Sequence, residues 1–187
     1  RSSAASDVYK RQIIMINLTK KEIAMKLELK NVKHSEFASH ETFCYEANLY
    51  VDGKPFAYVS NDGQGGSDRF DHDPRFKDLG IWKAVYLNLM RFCASEYAWE
   101  SFDGEMVDGS IDTACSSLMT DHLIRKDLNK ALREPCYLDG NQIVSYRVSS
   151  KRPNIFDQLR RQLKKPELVF LNELPKDEAF KMFKEVA

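Results

Sequence analysis

Hydrophobic and polar residues alternate along the first part of the chain, and this alternation predicts β-strands. The segment 25–33 alternates around Leu27 and Leu29, and the segment 42–51 alternates more strongly. Asp52-Gly53 is a tight-turn signal, and residues 56–60 are typical of a returning strand. Three antiparallel strands are therefore predicted.

The rest of the chain carries mainly helical spacing. Helices are predicted over 79–99 and 108–133, with a break in the second indicated near 119–122. A second hairpin is predicted over 137–148, because turn residues at 139–141 separate two apolar segments. The C-terminal elements are then a helix over 153–165, a strand over 168–172 and a helix over 175–186. The predicted fold is α+β, with an N-terminal antiparallel sheet, central helices and a C-terminal hairpin-helix-strand-helix segment.

Residues 1–24 are expected to be a translated leader that does not belong to the fold. Residues 1–12 resemble a string that arises when sequencing-adapter DNA is translated in metagenomic assemblies. Residues 21–25 can be back-translated as a bacterial ribosome-binding site ahead of a start codon at Met25. The expected single domain is 25–187. The alternative is an amphipathic N-terminal helix, and this segment is too short and too charged to span a membrane.

Composition limits the classes of function. The 187-residue chain has a formal net charge of +0 and is 43% hydrophobic, which suits a folded globule. A neutral chain is not a bulk nucleic-acid or membrane binder, so any such binding must come from a local patch. The four cysteines form no Cys-x-x-Cys pair and are expected to be reduced thiols in a cytoplasmic protein.

Residues 61–73, here called the Gly/Asp segment, hold the densest chemistry in the chain. Three glycines within four residues indicate backbone with positive φ or close approach of another group. The candidate partner-binding residues in this segment are Asn61, Asp62, Gly63, Gly65, Gly66, Asp68 and Arg69. The alternative is a solvated connection in which aspartates form turns and cap the next helix.

The same segment offers ligands for a divalent metal. Hard oxygen ligands and one imidazole could hold Mg²⁺, Mn²⁺ or Ca²⁺, and they come from Asp62, Asp68, Asp71, His72 and Asp73. Part of the segment also resembles the calcium-binding nonapeptide of β-roll toxins, although only one copy is present and Gln64 replaces a glycine. A metal-dependent phosphodiesterase or nuclease is therefore one alternative function.

A third function class is a nucleotide-signal-binding protein. The Gly-x-Gly-Gly run could bind a phosphate through its backbone N–H groups. It lacks both the Lys-Ser/Thr of the P-loop and the Gly-x-Gly-x-x-Gly spacing of dinucleotide folds. No complete catalytic set is found elsewhere in the sequence, so no catalytic residue is assigned.

Residues 151–165, here called the basic segment, are rich in positive charge. Asp157 is its only acid. Such a stripe could neutralise phosphates or an acidic protein surface, and the alternative is a solvated helix face. The candidate partner-binding residues are Lys151, Arg152, Arg160, Arg161, Lys164 and Lys165.

Two stretches carry a resemblance to known proteins. Residues 50–66, with the hairpin and the Asn-Asp-Gly-x-Gly-Gly run, and residues 171–179, which begin Leu-Asn-Glu-Leu-Pro, resemble small uncharacterised proteins of bacteriophages, prophages and plasmids. The resemblance implies a cytoplasmic mobile-element accessory protein, and such proteins often bind host machinery, as anti-CRISPR-like inhibitors do. The leading hypothesis is a non-enzymatic protein that binds a host protein or nucleic acid, without a cofactor or a membrane.

Overall fold

The computed structural model describes residues 25–187, so the leader prediction for 1–24 falls outside the described residues. The chain divides into two compact units, of which the first ends at Ser116 and the second is Ser117–Ala187. The expectation of one domain over 25–187 stays a prediction. None of the helices within the described residues has both the length and the apolar character that a membrane crossing requires.

The first unit is built on a four-stranded antiparallel sheet in the order β1-β2-β3-β4. Its strands are β1 (Leu27–His34), β2 (Cys44–Val51), β3 (Lys54–Asp62) and β4 (Arg69–His72), with a 3₁₀ turn at Glu36–Ala38. The three predicted strands are confirmed. The fourth lies inside the Gly/Asp segment, where a four-residue strand is too short to give a clear alternation.

One face of this sheet is buried because its inward positions are apolar. Tyr45, Ala47 and Leu49 alternate along β2, and all three are buried. On β3, Phe56 stacks on Trp82 with ring centroids 5.2 Å apart, and the Trp82 indole N–H donates to the Phe56 carbonyl at 2.9 Å. This aromatic contact fixes the first helix against the sheet.

Two helices follow the sheet. Helix α1 (Leu79–Glu96) begins at Asp78, whose side chain accepts a hydrogen bond from the Ile81 amide. A small hairpin, β5 (Trp99–Glu100) and β6 (Met106–Val107), separates it from α2 (Ile111–Ala131). Helix α2 is continuous, so the break expected near 119–122 is wrong.

The second unit is held by two apolar clusters. After the hairpin β7 (Cys136–Asp139) and β8 (Gln142–Ser145) come α3 (Ile155–Leu163), a 3₁₀ turn at Leu171–Glu173 and α4 (Lys176–Lys184). One cluster gathers around Phe180 and Phe183, and the other around Tyr137 and Phe170. The α+β fold class is confirmed, with an N-terminal sheet, helices and a C-terminal hairpin followed by helices.

One predicted element of the second unit differs in the structure. The strand expected over 168–172 is absent, and the chain instead forms the 3₁₀ turn. Phe170 and Leu171 are both buried, and a strand pattern alone does not separate this short apolar run from a 3₁₀ turn packed into the core.

Candidate functional site

The Gly/Asp segment is tied to the chain that precedes β2. Three consecutive backbone amides, from residues 40–42, converge on the Gly63 carbonyl oxygen at 3.0, 3.0 and 3.4 Å. Gly63 has a φ of +83°, and a Cβ atom there would lie 2.2 Å from the Ala38 carbonyl oxygen. Glycine is therefore required at this position, because any side chain would enter the backbone that the segment holds.

Three amides of the glycine run, which could bind a phosphate, already have acceptors within the protein. The Gly63 amide donates to Asn61 Oδ1 at 2.8 Å, and the Gln64 amide donates to Asp62 Oδ1 at 3.2 Å. The Gly65 amide donates to Thr42 Oγ1 at 3.3 Å. A phosphate would have to displace these three bonds, so the geometry does not favour the nucleotide-binding alternative.

Asp68 and Asn61 form the polar interior of the segment. Asp68 accepts a hydrogen bond from the Tyr45 hydroxyl at 2.6 Å and another from Asn61 Nδ2 at 2.9 Å. The Asp68 amide donates to Asp112 Oδ1 at 2.9 Å. Burial raises the pKa of Asp68, and burial also raises the pKa of the neighbouring Cys115 thiol. These groups join β2, the Gly/Asp segment and the start of α2.

The last two metal candidates are also committed to internal contacts. The His72 Nε2 donates to the Phe76 carbonyl at 2.8 Å, and its ring packs edge-on against Trp82. Asp73 is buried and accepts four hydrogen bonds from Arg75, one from its backbone amide and three from its guanidinium group. The side-chain hydrogen bonds from Arg75 lower the pKa of Asp73.

The five metal candidates do not converge. Asp71 is exposed on β4 opposite Tyr58, whereas His72 projects from the other face of the strand. Within residues 25–187 no group of three or more histidine, cysteine, aspartate or glutamate side chains is placed to hold a metal ion. The metal-site hypothesis stays a prediction, and melting with added Mg²⁺, Mn²⁺ or Ca²⁺ tests it because a bound ligand raises the melting temperature.

A cavity of about 620 Å³ lies on the open face of the sheet, beside the Gly/Asp segment. A row of paired residues crosses all four strands at this cavity, namely Lys33, Glu46, Ser60 and Arg69. Lys33 and Glu46 form a salt bridge at 3.3 Å. Of the partner-binding candidates, the cavity lining includes Asn61, Asp62, Gly66 and Arg69, while Gly63, Gly65 and Asp68 are not among its lining residues. The cavity lining therefore carries both signs of charge.

The basic segment separates into one structural arginine and five exposed side chains. Arg160 donates to the Leu168 carbonyl at 2.9 Å, pairs with Asp157 and Glu173, and lies over the Phe170 ring. Its guanidinium group is therefore used to close α3 against the following turn. The exposed members are Lys151, Arg152, Arg161, Lys164 and Lys165.

The apolar surface of the β5–β6 hairpin was not predicted from the sequence. Trp99, Phe102 and Met106 are exposed there, and Phe102 at the turn is fully exposed. Large exposed side chains in one short hairpin cannot be inferred from a pattern, because exposure depends on packing. The one sequence feature that could have drawn attention to this hairpin is its charge, since residues 95–110 contain five acids and no lysine or arginine.

Comparison of the chain with protein-family models, with curated protein sequences and with solved structures found no match.

Proposed function

We propose that this chain is a non-enzymatic binding protein of the kind that mobile genetic elements encode, and that it engages a host macromolecule, as an anti-CRISPR-like inhibitor does. The observation that carries the proposal is the internal use of the reactive groups in the Gly/Asp segment. Asp68, His72 and Asp73 are each held by hydrogen bonds inside the first unit. Groups fixed in this way support a rigid surface.

The surface proposed for contact is the open sheet face around the cavity. Its cross-strand row presents Lys33, Glu46, Ser60 and Arg69 in a fixed order, because strand pairing sets their spacing. Charged groups of both signs and a hydroxyl group, held at fixed spacing, give specificity toward a partner with the complementary pattern. Preorganisation and electrostatic complementarity with that partner would decide affinity, more than the buried area does.

The exposed side chains of the basic segment support a second contact in the other unit. The second unit has fourteen lysines and arginines against ten acids, a net charge of +4. Exposed basic side chains favour contact with phosphates or with an acidic protein surface. The two surfaces are separate proposals, because they belong to different units.

Affinity capture from a bacterial host lysate tests the function. The full chain serves as bait, with and without nuclease treatment, and mass spectrometry identifies the captured molecules. A protein retained at fixed stoichiometry after nuclease treatment supports the binding function. Loss of all specific capture at physiological salt contradicts it.

Two charge-reversal variants test the basic segment within the same experiment. One carries Arg161→Glu, Lys164→Glu and Lys165→Glu, and it leaves Arg160 in place because that residue supports the fold. The matched control carries Lys126→Glu, Lys130→Glu and Lys181→Glu, which are exposed positions of the same unit with the same change in net charge. Equal capture by both variants would remove the basic segment from the proposal.

A further inference from the structure

The hairpin formed by β5 and β6 presents an unusual amount of apolar surface. Within residues 99–107, called here the acidic hairpin, Trp99 is 49% exposed, Met106 is 69% exposed and Phe102 is fully exposed. Trp99 pairs with Val107, which is 37% exposed, so these two side chains share one face of the hairpin, while Met106 lies on the other face. Exposed apolar patches on a folded protein mark contact sites for other molecules. Tryptophan, phenylalanine and methionine are enriched at the centres of protein interfaces.

The turn that carries Phe102 is built by hydrogen bonds. The Ser101 hydroxyl donates to Asp103 Oδ1 at 2.5 Å, and it accepts from the Glu105 amide at 3.1 Å. The Gly104 amide donates to the Ser101 carbonyl at 3.0 Å, and Gly104 has a φ of +82°. Phe102 is therefore displayed on a defined turn, which lowers the entropic cost of binding.

The base of the acidic hairpin is fixed to the end of α1. The Gly109 amide donates to the Ala94 carbonyl at 3.1 Å. A Cβ atom at Gly109 would lie 2.3 Å from the Cys93 carbonyl oxygen, so only glycine allows the chain to return this close to the helix. The hairpin is consequently held at both its turn and its base.

Charge decides what kind of partner fits this surface. Five acids and no base occur between residues 95 and 110, namely Glu96, Glu100, Asp103, Glu105 and Asp108. Nucleic acid and anionic lipid headgroups would be repelled by this charge. A symmetric dimer through the hairpin would place like charges opposite one another. A basic protein surface complements this charge.

Resting on the proposed binding function, we infer that the acidic hairpin docks on a basic protein surface and inserts Phe102 into an apolar pocket there. Trp99 and Val107, on one face of the hairpin, flank that insertion, and the surrounding carboxylates pair with lysines or arginines of the partner. A surface of this chemistry is typical of proteins that themselves bind nucleic acid.

Site-specific photo-crosslinking tests the inference. A benzophenone amino acid replaces Phe102, Phe37 or Val169 in the full chain, all three being exposed positions. The probe is the heparin-binding protein fraction of a nuclease-treated bacterial lysate. We expect one host protein to crosslink from position 102 about tenfold more than from 169, with the linked peptide in a basic region of that protein.

A charge variant and a truncation make the result specific. The variant Glu96→Lys, Glu100→Lys and Glu105→Lys should lose the position-102 product, while the matched control Asp127→Lys, Glu167→Lys and Glu185→Lys should keep it. Phe102→Ala should weaken affinity for the captured protein by about thirtyfold, and Val169→Ala should not. Melting curves of both charge variants confirm that the fold is retained.

The outcomes separate the two proposals. A product from position 37 without one from 102 keeps the binding function and overturns the docking role of the hairpin. Crosslinks from 102 to a second copy of this chain, or equal products in the two charge variants, also overturn it. Absence of any product from position 102 above the level of position 169 overturns the docking role of the hairpin, while capture from the whole lysate tests the binding function separately.

Discussion

The two units of this protein carry opposite charge. Residues 25–116 contain nine lysines and arginines against sixteen aspartates and glutamates, a net charge of −7, whereas Ser117–Ala187 carries +4. The whole chain sums to +0, so its overall composition conceals this separation. The comparison shows that each unit has its own electrostatic preference, and long-range attraction will differ between them.

The units also differ in what holds them together. In the first, the chain ahead of β2 holds the Gly/Asp segment, because the amides of residues 40–42 donate to the Gly63 carbonyl and the Thr42 hydroxyl donates to Asn61 Oδ1. In the second, a single side chain takes a comparable role, because Asn172 accepts from the Cys136 amide and donates to the Leu132 and Glu134 carbonyls. Substitutions at these points give the largest effects on stability and test the comparison most directly.

The largest effect is expected at Gly63 in the first unit. Gly63→Ala forces a side chain into the left-handed region and against the Ala38 carbonyl, which costs about 3 kcal/mol of unfolding free energy. Gly66→Ala is the control, since a Cβ there meets nothing within 4 Å. Urea unfolding measures both variants, and a loss of similar size at the two positions would show that the segment is not held as described.

In the second unit, the substitution that corresponds to Gly63→Ala is at Asn172. Asn172→Ala leaves the Cys136 amide and two carbonyls without their partner, and we expect a loss of about 2–3 kcal/mol in the free energy of unfolding. Gln162→Ala, an exposed substitution on α3, should change stability by less than about 0.5 kcal/mol. Equal effects from the two variants would mean that the apolar clusters alone hold this unit.

Asn172 also illustrates how far the sequence allowed prediction. The strands β2 and β3 were predictable, because alternation over eight or more residues is a local signal. The position of Asn172 was not, since its partners lie 36 to 40 residues away. A predicted strand at this point was wrong for the same reason, because long-range burial of Phe170 and Leu171 overrides the local pattern.

In the Gly/Asp segment the special backbone conformation was predictable from the sequence, but the hydrogen bonding was not. The cluster of glycines and aspartates correctly indicated a specialised backbone, as the φ of Gly63 and Gly65 shows. The sequence could not show the hydrogen bonds of these side chains, because the partners come from another part of the chain. Thr42, just before β2, bonds to Asn61, and Tyr45 on β2 bonds to Asp68. Residue types that bind metals also build hydrogen-bonded turns.

Asp73 gives a pH-dependent test of the first unit. Asp73→Asn should lower the unfolding free energy by about 2 kcal/mol at pH 7, because it removes a charged acceptor for Arg75. The pKa of Asp73 is lowered below 3.8 in the folded state, so its contribution is present above pH 3.8 and is lost as the pH falls through the lowered pKa. Urea unfolding from pH 7 downward should show the two proteins converging in acid.

The neighbouring Asp71→Asn serves as its control, since that side chain is exposed on the open face of β4. It should change stability by less than about 0.5 kcal/mol at pH 7. A difference between Asp73→Asn and the parent protein that stays constant into acid would show that the charge of Asp73 is not the source of its effect.

The smallest effect, and one of opposite sign, is expected at Lys164 in the basic segment. Lys164 ends α3 with a φ of +56°, a conformation that favours glycine, and its amide donates to the Arg160 and Arg161 carbonyls. Lys164→Gly should therefore raise the unfolding free energy by about 0.5–1 kcal/mol. Lys165→Gly removes the same charge without relieving a positive φ and should not stabilise the protein.

If the basic segment contacts an anionic partner, both variants weaken that contact equally, and capture of the partner measures this loss separately from thermal melting. A stabilised Lys164→Gly protein that captures as well as the parent would assign Lys164 to the fold alone.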